Sequence, residues 1–313
     1  METLKPIRQP VRGRTLHRLF WKKLGLKREI VHPALSTLKG LASPVQWVQR
    51  RRLAQEMSPV GEFAIPQDQG FVVFGPGELP GVEDAIERCR AIFEAAQESS
   101  RREDFSFNPN KGFLLDVLTG KGFREEPELV SFMVSRPILD AATQYLGTVP
   151  LLAGAAVWWS PPNDSAASSQ LFHLDNEDWK QVKVFINLFD TNEEMGPFTL
   201  LPADLSQRIV SEDGHVRGRI SDERLEAAGA SDALRVLTGP PGSGAFVDTA
   251  RCLHYGSRGN RQERLVLMFQ FLRFHSPTES TFRFPVPREF PQIELDPVQK
   301  LALGLRDAAG ARP

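Results

Sequence analysis

His173, Leu174 and Asp175 form the first place in the chain where residue type and spacing suggest chemistry. In an extended segment, side chains two apart leave the backbone on the same face, so His173 and Asp175 can reach one ion together. A second imidazole would complete the two-histidine, one-carboxylate facial set that suits Fe(II) and leaves three coordination positions open. His-x-Asp arises often by chance, so the partner histidine has to be found elsewhere. His17 and His32 lie in a basic N-terminal region and His215 in a polar stretch, where solvated side chains are expected; His275 follows the last apolar run. His254 differs: a short connection joins it to the apolar residues 245–247, and a second apolar run, 264–274, begins ten residues later at Arg264.

These residues need a scaffold that brings positions about eighty apart together. The run 182–189 reads as a buried strand, and short strands are also expected at 71–74, 112–118, 151–160, 198–201, 245–248 and 264–274. Val82, Ala85, Ile86, Cys89, Ile92, Phe93 and Ala96 recur at helical spacing, which places Cys89 on an apolar face. Helices over 127–134 and 137–146 each carry Pro in the first turn, and Gly147 closes the second. Residues 99–111 read as loop, and the polar residues 205–235, with a helix at 221–229, as an insertion able to cover a site. Helices first and about eight short strands after them give a β-rich α+β class: a double-stranded β-helix, or jelly roll, with an N-terminal helical layer. The expected divisions are a basic extension, 1–60, a β-helix domain, 61–275, and a tail, 276–313, with a helix near 296–306.

The net charge of −1 conceals a division: residues 1–60 carry 13 Lys and Arg against 3 acids, a net of +10, and the remainder 25 against 36, a net of −11. Leu16, Leu19, Phe20 and Leu24 alternate with Lys22, Lys23 and Lys27 as in a basic amphipathic helix. Ser43 and Pro44 read as the cap and first residue of a further helix reaching about Met57, with Arg50, Arg51 and Arg52 on its solvent side. The arm either packs on the acidic body or meets an anionic surface, a membrane before nucleic acid. Two cysteines, distant in sequence, exclude a disulfide framework and a thiolate zinc site, and fit a reducing, cytoplasmic setting. No apolar run reaches membrane-spanning length.

In order and spacing the chain resembles the phytanoyl-CoA dioxygenase-like family of Fe(II)- and 2-oxoglutarate-dependent dioxygenases. The series begins with Gly70-Phe71-Val72-Val73, the helix at 82–96 and the paired helices ending in Leu146-Gly147. It continues through His173-Leu174-Asp175, the segment from Asn192 to Pro202, residues 244–248, His254 and Arg264. The resemblance implies a double-stranded β-helix, iron held by His173, Asp175 and His254, and Arg264 paired with the distal carboxylate of 2-oxoglutarate. It also implies hydroxylation of an unactivated C–H bond in a small or lipid-like molecule, with release of succinate and CO2. Arginine's fixed two-pronged donor set matches a buried carboxylate, and neutral imidazoles with one carboxylate leave Fe(II) net positive. Pro202-Ala203-Asp204-Leu205 and Val266 depart from the family pattern and put the cosubstrate's secondary contacts and the substrate class in question.

Candidate substrate contacts are Trp159, Asn176, Trp179, Lys183 and Asn187, together with Trp158 and Phe172. Alternation places Lys183, Phe185, Asn187 and Phe189 on one strand face without saying which face looks inward. Two other functions are consistent with the sequence. One is a non-catalytic or differently metallated small-molecule-binding β-helix, which would have no need of Arg264. The other is a nucleic-acid-acting oxygenase, faintly echoed by Arg258-Gly259-Asn260 but opposed by the acidic body.

Overall fold

The computed structural model describes residues 5–6, 28–57, 63–98, 112–118, 122–212, 219–276 and 294–306. The basic amphipathic helix expected around residues 16–24, the loop at 99–111, His17, His215 and most of the tail lie outside the described residues.

The longest apolar run becomes β10 (Arg264–Arg273). It lies between β5 (Val182–Asn187) and β4 (Pro150–Ser160) in an antiparallel sheet of six strands. Next to β5 come β8 (Gly244–Val247) and then β2 (Phe71–Phe74), and β3 (Leu115–Asp116) borders β4. Opposite stands a smaller sheet ordered β7 (Arg235–Val236), β6 (Thr199–Leu200), β9 (His254–Tyr255), extended by the bridges Phe172↔Ile220 and His173↔His254. Two antiparallel layers facing one another make the expected double-stranded β-helix, with helices laid over the outside of the larger layer.

Burial on both faces explains why β10 shows no apolar–polar alternation in sequence. Val184, Ile186, Leu265, Leu267 and Trp159 point outward into one core with Cys89 and Phe93 of α3 (Val82–Glu98) and Leu139 of α5 (Arg136–Leu146). Phe185, Val266, Met268 and Ala156 point inward and meet Phe198 and Leu200 of the second layer. Strand β8 can approach β5 only because position 244 is glycine: a Cβ there would lie 2.1 Å from the carbonyl oxygen of Phe185. The outer helices carry the punctuation seen in sequence. Proline stands in the first turns of α4 (Pro127–Met133) and α5, and Gly147 ends α5 at φ +67°.

Several local expectations change. The strand expected over 112–118 is reduced to β3. A helix, α6 (Ala203–Glu212), begins the polar insertion, ahead of α7 (Asp222–Ala227) inside the expected 221–229. Near the N-terminus, α1 (Arg28–Ala42) and α2 (Pro44–Glu56) form a pair. Ser43 does not cap α2 through its side chain, because its Oγ meets the Lys39 carbonyl at 3.1 Å and His275 Nε2 at 2.9 Å. Arg50 is not on the solvent side. Its guanidinium is fully buried and donates to the carbonyls of Val149 (2.9 Å), Pro150 (3.1 Å) and Leu301 (2.8 Å), the last in α8 (Pro297–Ala302). One arginine thus serves three backbone carbonyls, its fork of N–H donors spanning the start of β4 and the end of α8. His32 is likewise buried rather than solvated.

Candidate active site

Backbone pairing joins the two histidine segments. His173 N–H donates to His254 O and His254 N–H to His173 O, both at 3.1 Å, and Asp175 N–H donates to Thr249 O at 2.9 Å. The expected strand geometry at 173–175 is thus an extended segment held by single bridges, and it does put both side chains on one side. The imidazole centroids are 4.3 Å apart. Asp175 Oδ1 lies 3.8 Å from His173 Nε2, and Asp175 Oδ2 lies 3.7 Å from His254 Nε2. One ligand atom from each residue falls within 4.8 Å of the other two, so the three can share a metal ion.

The ring tautomers follow from the neighbours. Each Nδ1 lies 2.9 Å from a carbonyl two residues earlier, Leu171 for His173 and Cys252 for His254. Such a contact requires Nδ1–H to donate, which leaves the Nε2 lone pair turned toward Asp175. Burial, and then the neighbouring His254, lowers the His173 pKa to about 3, and burial also lowers that of His254. His173 is therefore already neutral where ordinary histidines near 6.5 begin to take protons, and burial moves His254 in the same direction. At pH 5.5 two ordinary histidines would cost a bound metal roughly 100-fold in affinity relative to pH 8. Co(II) affinity here should fall by less than about tenfold over that range, measured by calorimetry. A proton penalty of the ordinary size would show that the rings are not held neutral.

Asp175 is fixed from behind. Lys183 Nζ donates to its Oδ2 at 2.7 Å and Gln181 Nε2 approaches the same oxygen at 3.3 Å. Burial alone would raise the Asp175 pKa, but Lys183, then His254 and His173, hold it well below the usual carboxylate range. Lys183 is itself only 6% exposed, so the pair is a buried one. Lys183→Met should cost the metal-free protein about 3 kcal/mol, since it strands a buried carboxylate. Co(II) should then raise the melting temperature of the variant more than that of the wild type, because the ion replaces the missing counter-charge. Equal shifts would show that lysine and metal do not compete for Asp175.

Arg264 stands at the start of β10, 5% exposed. Its Nη2 donates to Ser257 Oγ at 2.8 Å, while Nε is buried with no hydrogen-bond partner. Ser257 adopts φ +59°, a conformation rare outside glycine, and its N–H is tied to Gly196 O at 2.8 Å. Burial brings the Arg264 pKa down to about 10, still cationic at neutral pH. One cavity of about 360 Å³ is walled by His173, Asp175, His254, Lys183, Ser257 and Arg264 on its polar side and by Trp158, Leu174, Phe185, Phe198 and Val266 on its apolar side.

The structure brings Asn176, Lys183 and Trp158 to this cavity, but not the other candidate contacts. The register pairs Leu265 with Trp159 and Val266 with Trp158, so Trp158 faces inward and Trp159 outward. There the Trp159 ring packs against Phe93 and its Nε1 donates to Glu263 at 2.8 Å. Trp179 stacks with Arg273, 4.7 Å from ring centroid to guanidinium, beside a separate depression. Asn187 is buried, with Nδ2 3.4 Å from the Leu237 carbonyl. Phe172 packs edge-on against Tyr255, and Phe189, beyond the end of β5, against Phe93. Cys252 is buried, with Sγ 3.4 Å from Gln69 O, and belongs to no ligand group.

Sequence reasoning missed Gln181, Glu177, Ser257, Phe198 and Arg219. Gln181 is fixed at 2.7 Å on Thr249 Oγ1, and the other four line the cavity. Buried Asp248 was also missed. It accepts from Tyr145 OH at 2.7 Å and from Ala250 N–H at 3.1 Å, steadying the turn whose Thr249 carbonyl receives Asp175 N–H.

No protein-family model and no curated protein matches the chain. Solved structures do match. EctD from S. alaskensis, in a crystal structure with 2-oxoglutarate and 5-hydroxyectoine, superposes with a TM-score of 0.53 at 13% identity, over 77% of this chain and 87% of that one. Its apoform gives 0.50 at 12% identity, over 77% and 89%. The fold is that of EctD. The non-heme alpha ketoglutarate dependent carbocyclase SnoK from nogalamycin biosynthesis is similar over 70% of this chain and 85% of that one at 18% identity. Its TM-score of 0.45 adds nothing to the assignment of the fold. Among the described residues no helix is long and apolar enough to cross a membrane.

Proposed function

We propose that the chain is an Fe(II)- and 2-oxoglutarate-dependent oxygenase, of the phytanoyl-CoA dioxygenase-like kind, that hydroxylates a C–H bond in a small or lipid-like molecule. One observation carries this: the guanidinium of Arg264, buried with an unpartnered Nε, shares a cavity with the His173, Asp175 and His254 cluster. Two neutral nitrogens and one carboxylate oxygen match the ligand preference of Fe(II). They would hold the metal, and Arg264 with Ser257 would hold the distal carboxylate of the oxo acid. Together with dioxygen, the bound iron and oxo acid supply the oxidising power for hydroxylation: one oxygen atom enters the substrate, the other succinate, and CO2 leaves.

The chain's own residues set the conditions for that reaction. The Nδ1–H contacts aim both Nε2 atoms at one point, and Lys183 and Gln181 fix the carboxylate before any ion arrives. Phe198 stacks on the His254 ring at 5.3 Å and, with Trp158 and Phe185, keeps that side of the cavity apolar. A dry wall of this kind excludes water and suits an apolar substrate. A metal protein that takes no oxo acid would leave Arg264 with no anion to meet, which is why the catalytic function is preferred to a binding one.

The test is uncoupled turnover. With Fe(II), ascorbate and 2-oxoglutarate but no added substrate, the wild type should release succinate and CO2 slowly in equal amounts, and His254→Ala should release neither. Equal release by both proteins would contradict the proposal.

A further inference from the structure

Around their connecting turn, helices α1 and α2 bury polar groups and expose aliphatic ones. Four polar groups at the pair face the body: Ser36 Oγ donates to His275 O at 2.8 Å, Lys39 Nζ to Ser276 O, Ser43 Oγ meets His275 Nε2, and Arg50 is fully buried. The helices approach so closely that a Cβ at Gly40 would lie 2.7 Å from the Trp47 ring. Val31 and Leu35 are buried, but four apolar side chains are left outside. Leu38 (62%), Leu41 (63%), Val45 (76%) and Val48 (64%) are four of the six exposed large apolar residues among those described. Leu38 and Leu41, and likewise Val45 and Val48, are three apart on their helices, so each pair shares a face across the turn at Ala42 to Pro44. Ala42 and Pro44, in the turn between the two pairs, are exposed as well.

An aliphatic ridge that the fold bolts down from its polar side needs an apolar partner. Charge decides which one. Arg51 and Arg52 stand exposed beside the ridge, and residues 1–27, which lead into α1, hold 8 Lys and Arg against 1 acid. A second copy would bring the same positive charge to the interface, and nucleic acid has no use for four aliphatic side chains. An anionic lipid surface answers both features, with hydrocarbon for the ridge and headgroup charge for the arginines. We propose that the α1–α2 ridge, Leu38, Leu41, Val45 and Val48, docks this protein on anionic membrane surfaces without spanning them.

Cosedimentation with vesicles of 70:30 phosphatidylcholine and phosphatidylglycerol tests this on the full chain. The wild type should bind at low salt, lose most binding in 0.5 M NaCl, and bind pure phosphatidylcholine weakly. Leu41→Asp with Val45→Asp should lower the partition coefficient at least tenfold while the melting curve stays as in wild type. If that variant does not fold, Leu38→Ser with Val48→Ser should still lower it severalfold. Failure of the wild type to bind anionic vesicles would overturn the proposal, as would folded variants that bind equally well. So would a wild-type dimer that the substitutions dissociate in sedimentation velocity, since the ridge would then be a contact between copies.

Discussion

Arg264→Met should raise the 2-oxoglutarate concentration for half-saturation by roughly 100-fold and leave metal affinity within about threefold of wild type. The asymmetry follows from position. Arg264 and the ligand cluster share a cavity, but the guanidinium hydrogen-bonds Ser257 rather than any of the three ligand residues. Truncating one partner of a buried charge-assisted pair costs about 2–5 kcal/mol, and 2.7 kcal/mol is about 100-fold. Methionine fills similar volume, so packing is largely kept while the donors are lost. Arg264→Lys should recover only part of the loss, because an ammonium cannot form the two parallel bonds of a guanidinium. Calorimetric titration of Co(II) and then of 2-oxoglutarate separates the two affinities. Parallel loss of both would mean that Arg264 supports the fold of the site rather than binding the oxo acid.

Asp175→Asn should have the largest effect on the metal, at least about 1000-fold in affinity, because it removes the only anionic ligand and keeps the shape. It should also destabilise the metal-free protein by about 3–5 kcal/mol. Lys183 is buried and Asp175 is its 2.7 Å partner, so a neutral amide leaves the ammonium poorly compensated. Added Co(II) should no longer raise the melting temperature. The contrast with Lys183→Met is diagnostic, since one variant loses stability that metal restores and the other loses stability that metal cannot restore. Recovery of Asp175→Asn by metal would mean that ligation does not run through this carboxylate.

How far the sequence could be read depended on whether local spacing or distant pairing decided a residue's place. His173 and Asp175 could be paired because alternation in an extended segment is a local rule. His254 stood out because it lies between two apolar runs, and Arg264 because it begins the second. The helices at 127–133 and 136–146 were legible from proline and glycine alone. Trp158 and Trp159 were not separable in this way. Which of two adjacent tryptophans looks into the cavity is set by the register of β4 on β10, a pairing of residues about a hundred apart. Three consecutive arginines gave no hint that Arg50 alone would be buried, since its acceptors lie 99, 100 and 251 positions away. Alternation did group Lys183 with Phe185, but only the location of Asp175 shows that this face is the interior. Asn187 shares the face and still misses the cavity, because that end of β5 meets the Leu237 carbonyl.

The most direct test needs no substrate. Protein freed of metal is titrated anaerobically with Fe(II) to one equivalent and then with 2-oxoglutarate, and visible absorbance is followed throughout. Chelation of the oxo acid by iron at this site predicts a weak metal-to-ligand charge-transfer band that saturates at one equivalent, is absent with Asp175→Asn, and appears only at much higher 2-oxoglutarate with Arg264→Met. A wild-type protein that holds a full equivalent of Fe(II) and develops no band at saturating 2-oxoglutarate would contradict the account.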